Sequence, residues 1–76
     1  MNDSRRREIR KAIGILETAR SNIESVKDDE EWAFDSLPDG FKESSRGEKM
    51  EETVEDLDSA LDSLDEIIDL LKGVLL

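Results

Sequence analysis

Two long segments of the chain repeat apolar residues at alternating spacings of three and four positions. In residues 4–36 the heptad repeat begins at Ile9, and in residues 46–74 it begins at Met50. Such spacings are typical of amphipathic α-helices. The pattern therefore predicts two helices of similar length, the first over about residues 4–36 and the second over about residues 46–74.

A turn at about residues 37–44 separates the two predicted helices. Pro38 disfavours helical geometry in the residue before it, so the first helix is expected to end there. Asp39-Gly40 is a turn pair. Ser45 and Glu48 have the spacing of a capping box, which predicts that the second helix begins near residue 46.

The apolar stripe of the second helix is wider than one facing helix requires, because Ala60, Ile67 and Val74 add a third row at heptad position g. A short turn between helices of equal length forms an antiparallel hairpin, which has no enclosed interior. We therefore predict an all-α, single-domain protein (residues 1–76) whose hairpins assemble into a homo-oligomeric four-helix bundle. The predicted oligomer core comprises Ile9, Leu16, Ile23, Val26, Met50, Val54, Leu57, Leu61, Leu64, Ile68 and Leu71.

Charge is abundant and unevenly distributed along the chain. Charged residues make up 42% of the sequence, and the net charge is −10. Residues 1–27 contain seven basic and four acidic side chains, whereas residues 28–76 contain four basic and seventeen acidic ones. The acidic balance argues against direct DNA binding, which needs basic side chains to displace counterions. The opposite charges of the two segments favour their packing side by side.

Several kinds of chemistry lack the residues they need. The chain has no cysteine and no histidine. These absences exclude zinc fingers, catalysis by a Cys–His pair and general bases that use imidazole. No catalytic residue, metal ligand or cofactor is predicted. No run approaches the roughly 18 apolar residues of a membrane span, and no apolar stretch follows the basic start as in a secretory signal. The absence of cysteine agrees with a cytoplasmic protein.

The turn and its flanks, residues 32–47, contain all three aromatic residues, and we call this segment the hinge. The aromatic residues form either an apolar plug over the turn or a recognition surface. The start of the second helix offers free N–H groups that suit a phosphate, Arg46 and Lys42 add positive charge, and Gly47 is expected to allow the ligand to approach closely. The candidate ligand- or partner-binding residues of the hinge are Trp32, Phe34, Phe41, Lys42, Ser44, Ser45, Arg46 and Gly47.

Acidic residues crowd the hinge end of both helices and allow three further interpretations. Asp28-x-x-Glu31 and Glu52-x-x-Glu55 are similar to the paired acidic motifs with which all-α nucleotide pyrophosphohydrolases hold magnesium. Alternatively, the acidic surface imitates the phosphates of DNA and inhibits a basic protein. The third interpretation is a solvated face on a purely structural bundle.

The hinge also carries a resemblance to a known family. Residues 30–38 (E-E-W-A-F-D-S-L-P) and residues 44–50 (S-S-R-G-E-K-M) resemble the hinge of small helical proteins encoded by phages and prophages of Gram-positive bacteria. Trp32 departs from that pattern. The resemblance implies a phage accessory or counter-defence protein in the cytoplasm of the bacterial host. Such a protein is expected to form a homodimer or larger oligomer and to bind a host protein or a nucleotide signal through its hinge.

Overall fold

A computed structural model describes residues 1–76 as three helices: α1 (Asp3–Asp35), α2 (Asp39–Lys42) and α3 (Ser45–Val74). α1 and α3 lie side by side in opposite directions and form a rod of 58 × 15 × 14 Å. The predicted all-helical fold is confirmed, and each long helix differs from its predicted range by at most one residue at either end. Neither long helix has an apolar stretch of the length needed to cross a membrane.

Polar side chains close the first turn of both long helices. The side-chain oxygen of Asn2 accepts a hydrogen bond from the Arg5 N–H at 2.9 Å. Ser44 Oγ accepts one from the Gly47 N–H at 3.3 Å. The predicted capping box at Ser45 is therefore wrong by one residue. Ser44 has the extended backbone that a cap requires, whereas Ser45 is already helical.

The predicted turn contains one additional helical turn, α2. The carbonyl oxygen of Pro38 accepts hydrogen bonds from the N–H groups of Phe41 at 2.8 Å and Lys42 at 3.2 Å. Proline suits this entry position because its missing N–H would have no helical partner there. α2 packs against the start of α3, so the hinge has a defined shape instead of being an open loop.

α1 turns a different side toward α3 than the a and d positions of its heptad suggest. The side that α3 covers follows positions a and e, and Ile13 at e is buried. Val26, at a d position, is 55% exposed. Arg20 and Lys27 also occupy e positions, and this rotation brings them close to aspartates of α3.

The core between the two long helices is small. Its only buried apolar side chains are Ile13, Leu61 and Ile68, and none of them is completely enclosed. The hairpin has an accessible surface of 5627 Å², whereas a compact monomer of this mass is expected to have about 4,700 Å². The other predicted core residues within the α1–α3 contact are half-buried: Ile9, Leu16, Ile23, Met50, Val54, Leu57, Leu64 and Leu71.

Three ion pairs join α1 to α3 along one side of the rod, which we call the ion-pair side: Glu17–Lys72, Arg20–Asp65 and Lys27–Asp58. Arg20 donates hydrogen bonds from Nε and Nη2 to both carboxylate oxygens of Asp65. These bonds raise the pKa of Arg20 and lower the pKa of Asp65. The hydrogen bond to Asp58 likewise raises the pKa of Lys27. All three pairs agree with one antiparallel register of the hairpin.

The Arg20–Asp65 pair predicts a pH-dependent contribution to stability. Because the pKa of Asp65 is lower in the folded chain than in the unfolded one, the pair stabilises the hairpin above about pH 4. The contribution is lost as the pH falls through the lowered pKa. Thermal unfolding of Asp65→Asn, followed by circular dichroism from pH 7 to pH 2, is expected to show destabilisation at pH 7 that disappears in acid.

Asp62→Asn is the matched control for this prediction. Asp62 is exposed, lies one helical turn from Asp65 and forms no ion pair. It therefore corrects for the general relief of negative charge on a chain of net charge −10. A difference between the two variants that stays constant from pH 7 to pH 2 would contradict the assignment.

Candidate functional site

The three aromatic residues of the hinge have different surroundings. Phe34 is half-buried, whereas Trp32 is 74% exposed and Phe41 is 60% exposed. The apolar plug proposed for all three residues therefore describes only Phe34. Trp32 near the end of α1 and Phe41 in α2 are therefore the two exposed aromatic side chains of the hinge.

Lys42 is engaged inside the hinge. Its Nζ lies 5.9 Å from the centroid of the Phe34 ring, within the range of a cation–π contact. The same Nζ lies 3.9 Å from Asp39 Oδ1. Lys42 therefore helps to hold α2 over the end of α1, and less of its charge is available to a ligand than the sequence suggests.

Gly47 lets α2 pack directly on the first turn of α3. It is buried, and a Cβ at this position would overlap the carbonyl oxygens of Lys42 and Phe41, the latter at 2.5 Å. Its N–H is already bonded to Ser44 Oγ. The space expected to admit a phosphate is thus filled by the chain's own backbone, which corrects the role predicted for this glycine.

The remaining hinge residues of the predicted anion site are Ser45 and Arg46. Both are exposed, and Arg46 forms no ion pair within the chain. Ser44 is occupied, since its hydroxyl donates to the carbonyl oxygen of Phe41 while it caps α3. Arg46 is therefore the basic side chain of the hinge that is free to meet an acidic group.

The acidic residues near the hinge do not gather into one site. No group of three or more carboxylates lies close enough together to hold a metal ion. Most of the acids on both helices point into solvent, and Asp58 pairs with Lys27 at 2.9 Å. Their arrangement is that of a solvated acidic surface.

A second candidate surface lies opposite the ion-pair side. We call it the apolar face, and it consists of Ala12, Ala19 and Val26 of α1 with Ala60, Ile67 and Val74 of α3. On α1, the residues at heptad position d lie beside the a row, on the side away from the e row that forms the ion pairs. On α3, the residues at position g lie beside the d row, again on the side away from the e row that forms the ion pairs. Ile67 and Val74 are 44% and 47% exposed. Val26 and Ala60 are exposed as well, whereas Ala12 and Ala19 are half-buried.

Small and large side chains stand beside each other across the apolar face. The register set by the ion pairs places the residues level in three pairs: Ala12 with Val74, Ala19 with Ile67, and Val26 with Ala60. Each level therefore presents one alanine beside one branched side chain, an alternation that lets facing helices interdigitate.

No protein-family model, curated protein or solved structure matches the chain.

Proposed function

We propose that this protein is a non-enzymatic, homo-oligomeric binding module. Hairpins associate through the apolar face into a four-helix bundle, and each hinge binds a host factor, either a protein or a nucleotide signal. The setting we propose is a phage or prophage accessory or counter-defence protein acting in the cytoplasm of the bacterial host. The hinge motifs support that setting through their resemblance to small phage proteins.

Self-association is supported by how little a single hairpin buries. Three buried apolar side chains are a small core for 76 residues, and short chains without disulfides commonly gain stability by oligomerising. Covering apolar surface contributes about 25 cal/mol per Å² removed from water. The uncovered apolar face is the surface from which a second hairpin would gain that stabilisation.

The exposure of Trp32 and Phe41 is the observation that carries the binding role. Tryptophan is highly buried on average in folded proteins and is enriched among the residues that dominate binding energy. Here Trp32 is 74% exposed although it sits at the end of a long, regular helix. Neither aromatic side chain is needed for the α1–α3 core. Burial of these two side chains by a bound partner accounts for their exposure in the single chain.

The groups of the hinge near Trp32 and Phe41 favour a protein as the partner. A nucleotide base would stack on Trp32 and an anion would pair with Arg46, but the N–H of Gly47 is already bonded within the chain. A protein partner with an apolar pocket and a neighbouring carboxylate fits the free groups of the hinge better. A nucleotide remains the second candidate, supported by Arg46 and by the aromatic side chains.

Trp32→Ala and Phe41→Ala are expected to abolish partner binding while leaving the fold intact. Removing an aromatic anchor typically weakens binding by 2 kcal/mol or more, which is about 30-fold. Exposed positions outside the core change stability by about 0.5 kcal/mol or less. Native mass spectrometry of tagged protein purified from bacterial lysate would record any retained protein or nucleotide, and circular dichroism would record helicity.

Leu70→Ala is the matched control, because Leu70 is 73% exposed and lies far from the hinge on α3. Retention of the same partner by wild type and by both aromatic variants would contradict the hinge role. Binding that weakens steeply with salt and ignores the aromatic variants would favour a DNA mimic. Magnesium-dependent nucleotide hydrolysis lost in Glu52→Gln would favour the pyrophosphohydrolase.

A further inference from the structure

The rod has two ends of opposite charge. The terminal half, residues 1–19 and 67–76, contains six basic and four acidic side chains. The hinge half, residues 20–66, contains five basic and seventeen acidic ones. The formal charges are therefore +2 and −12, and most of the net charge of the chain lies toward the hinge.

We infer that the occupant of the apolar face is a second copy of this chain lying antiparallel to the first, with its basic terminal half against the acidic hinge half. The inference rests on the proposed self-association and adds its orientation. A twofold axis perpendicular to the rod generates the arrangement, and it leaves the two hinges at opposite ends of the dimer.

Charge decides between this arrangement and its parallel alternative. A twofold axis along the rod would also bring two apolar faces together, but it would set two hinge halves of charge −12 side by side. Like charges at the short distances of a helix bundle repel strongly. The antiparallel arrangement instead places the terminal half of each copy, of charge +2, against the hinge half of the other, of charge −12.

The size of the face suits a second copy. One whole side of the rod, 58 × 15 Å, has an outline of about 900 Å², so a second copy that covers this side along its full length would reach the roughly 800 Å² per partner of a standard protein–protein interface. The alternation of alanine with branched residues supports close packing. When the twofold axis passes midway between the levels of Ile67 and Ala60, Ile67 of one copy lies opposite Ala60 of the other. Val26 of one copy then lies opposite Ala19 of the other.

Two singly labelled variants measure the orientation. The chain has no cysteine, so Ser45→Cys and Ser63→Cys each provide one nitroxide attachment site. Both serines are exposed and neither side chain forms a hydrogen bond. Ser63 lies near the middle of the rod and Ser45 at the hinge end. Pulsed dipolar EPR of the full chain then measures the distance between the two labels of one dimer.

The antiparallel dimer predicts a short distance at Ser63, under about 25 Å, and a long distance at Ser45, about 50–60 Å from the rise of 1.5 Å per residue. Short distances at both positions would overturn the antiparallel orientation and leave self-association standing. No dipolar interaction at either position, together with the sedimentation of a single chain, would overturn both. As a control, the labelled variants are compared with the wild-type protein by sedimentation and circular dichroism. Equal molar mass and equal helicity show that the labels leave the assembly unchanged.

Discussion

Ile67→Glu is expected to convert the assembled protein into single chains. Ile67 lies at the centre of the α3 part of the apolar face and is 44% exposed in the single hairpin. Association would bury the new carboxylate without a basic partner, which costs several kcal/mol. We expect the dissociation constant to rise about 100-fold or more, equivalent to about 2.7 kcal/mol. Sedimentation over a concentration series measures this directly.

Ser59→Glu separates the loss of the face from the general effect of added charge. Ser59 is exposed and lies at heptad position f of α3, outside the apolar face and away from α1. Both substitutions add one negative charge to the same helix. Equal sedimentation behaviour of the two variants would mean that the apolar face is not the interface. Wild-type assembly in Ser59→Glu with loss in Ile67→Glu is the predicted result.

Gly47→Ala is expected to disrupt the hinge and to destabilise the protein. The new methyl group would overlap backbone carbonyl oxygens of α2, which cannot move aside as a flexible side chain can. Overpacking of this kind typically costs about 1–3 kcal/mol, and backbone atoms as neighbours favour the upper end. Urea unfolding at fixed protein concentration, followed by circular dichroism, measures the change.

Gly14→Ala is the matched control for that prediction. Gly14 lies inside α1, and a Cβ there has no neighbouring atom within 4 Å. Alanine is favoured over glycine in helix interiors by about 1 kcal/mol, so this variant is expected to be more stable than wild type. The two identical substitutions should thus act in opposite directions. Stabilisation by both would mean that α2 does not pack on α3 as described.

The helices could be predicted closely from the sequence because their causes are local. Heptad spacing, one proline and the serines before α3 place each long helix within one residue of its observed ends. The hairpin follows from the short turn. The exact cap was missed because Ser44 and Ser45 are adjacent and chemically alike, and only the backbone conformation distinguishes them.

The side that α1 presents to α3 could not be predicted from apolar spacing alone. Its a row has apolar residues on both flanks, alanines and Val26 at d and Ile13 and Phe34 at e, so the spacing does not choose between the two flanks. The observed side brings Arg20 and Lys27 to their partners Asp65 and Asp58, which lie 45 and 31 positions away in the sequence and so belong to no local pattern. This rotation is what leaves Val26 exposed and frees the apolar face for another hairpin.

The hinge shows the same division between local and long-range causes. The exposure of Trp32 agrees with its heptad position c, off the apolar stripe, whereas Phe34 at position e is half-buried because α3 covers the e row of α1. Gly47 was assigned to ligand approach because a glycine at a helix start has two uses, close packing of the chain or close approach of a ligand. Only the position of α2 distinguishes them, and no short-range pattern encodes that position.

Sedimentation equilibrium of the unmodified protein, from low micromolar to millimolar concentration, tests the central claim most directly. We propose that the hairpin is half of a bundle held together by its apolar face. The predicted result is a molar mass of twice the 8.6 kDa of one chain, decreasing toward the single-chain value on dilution. A fully helical species that sediments as one chain at every concentration would contradict the account.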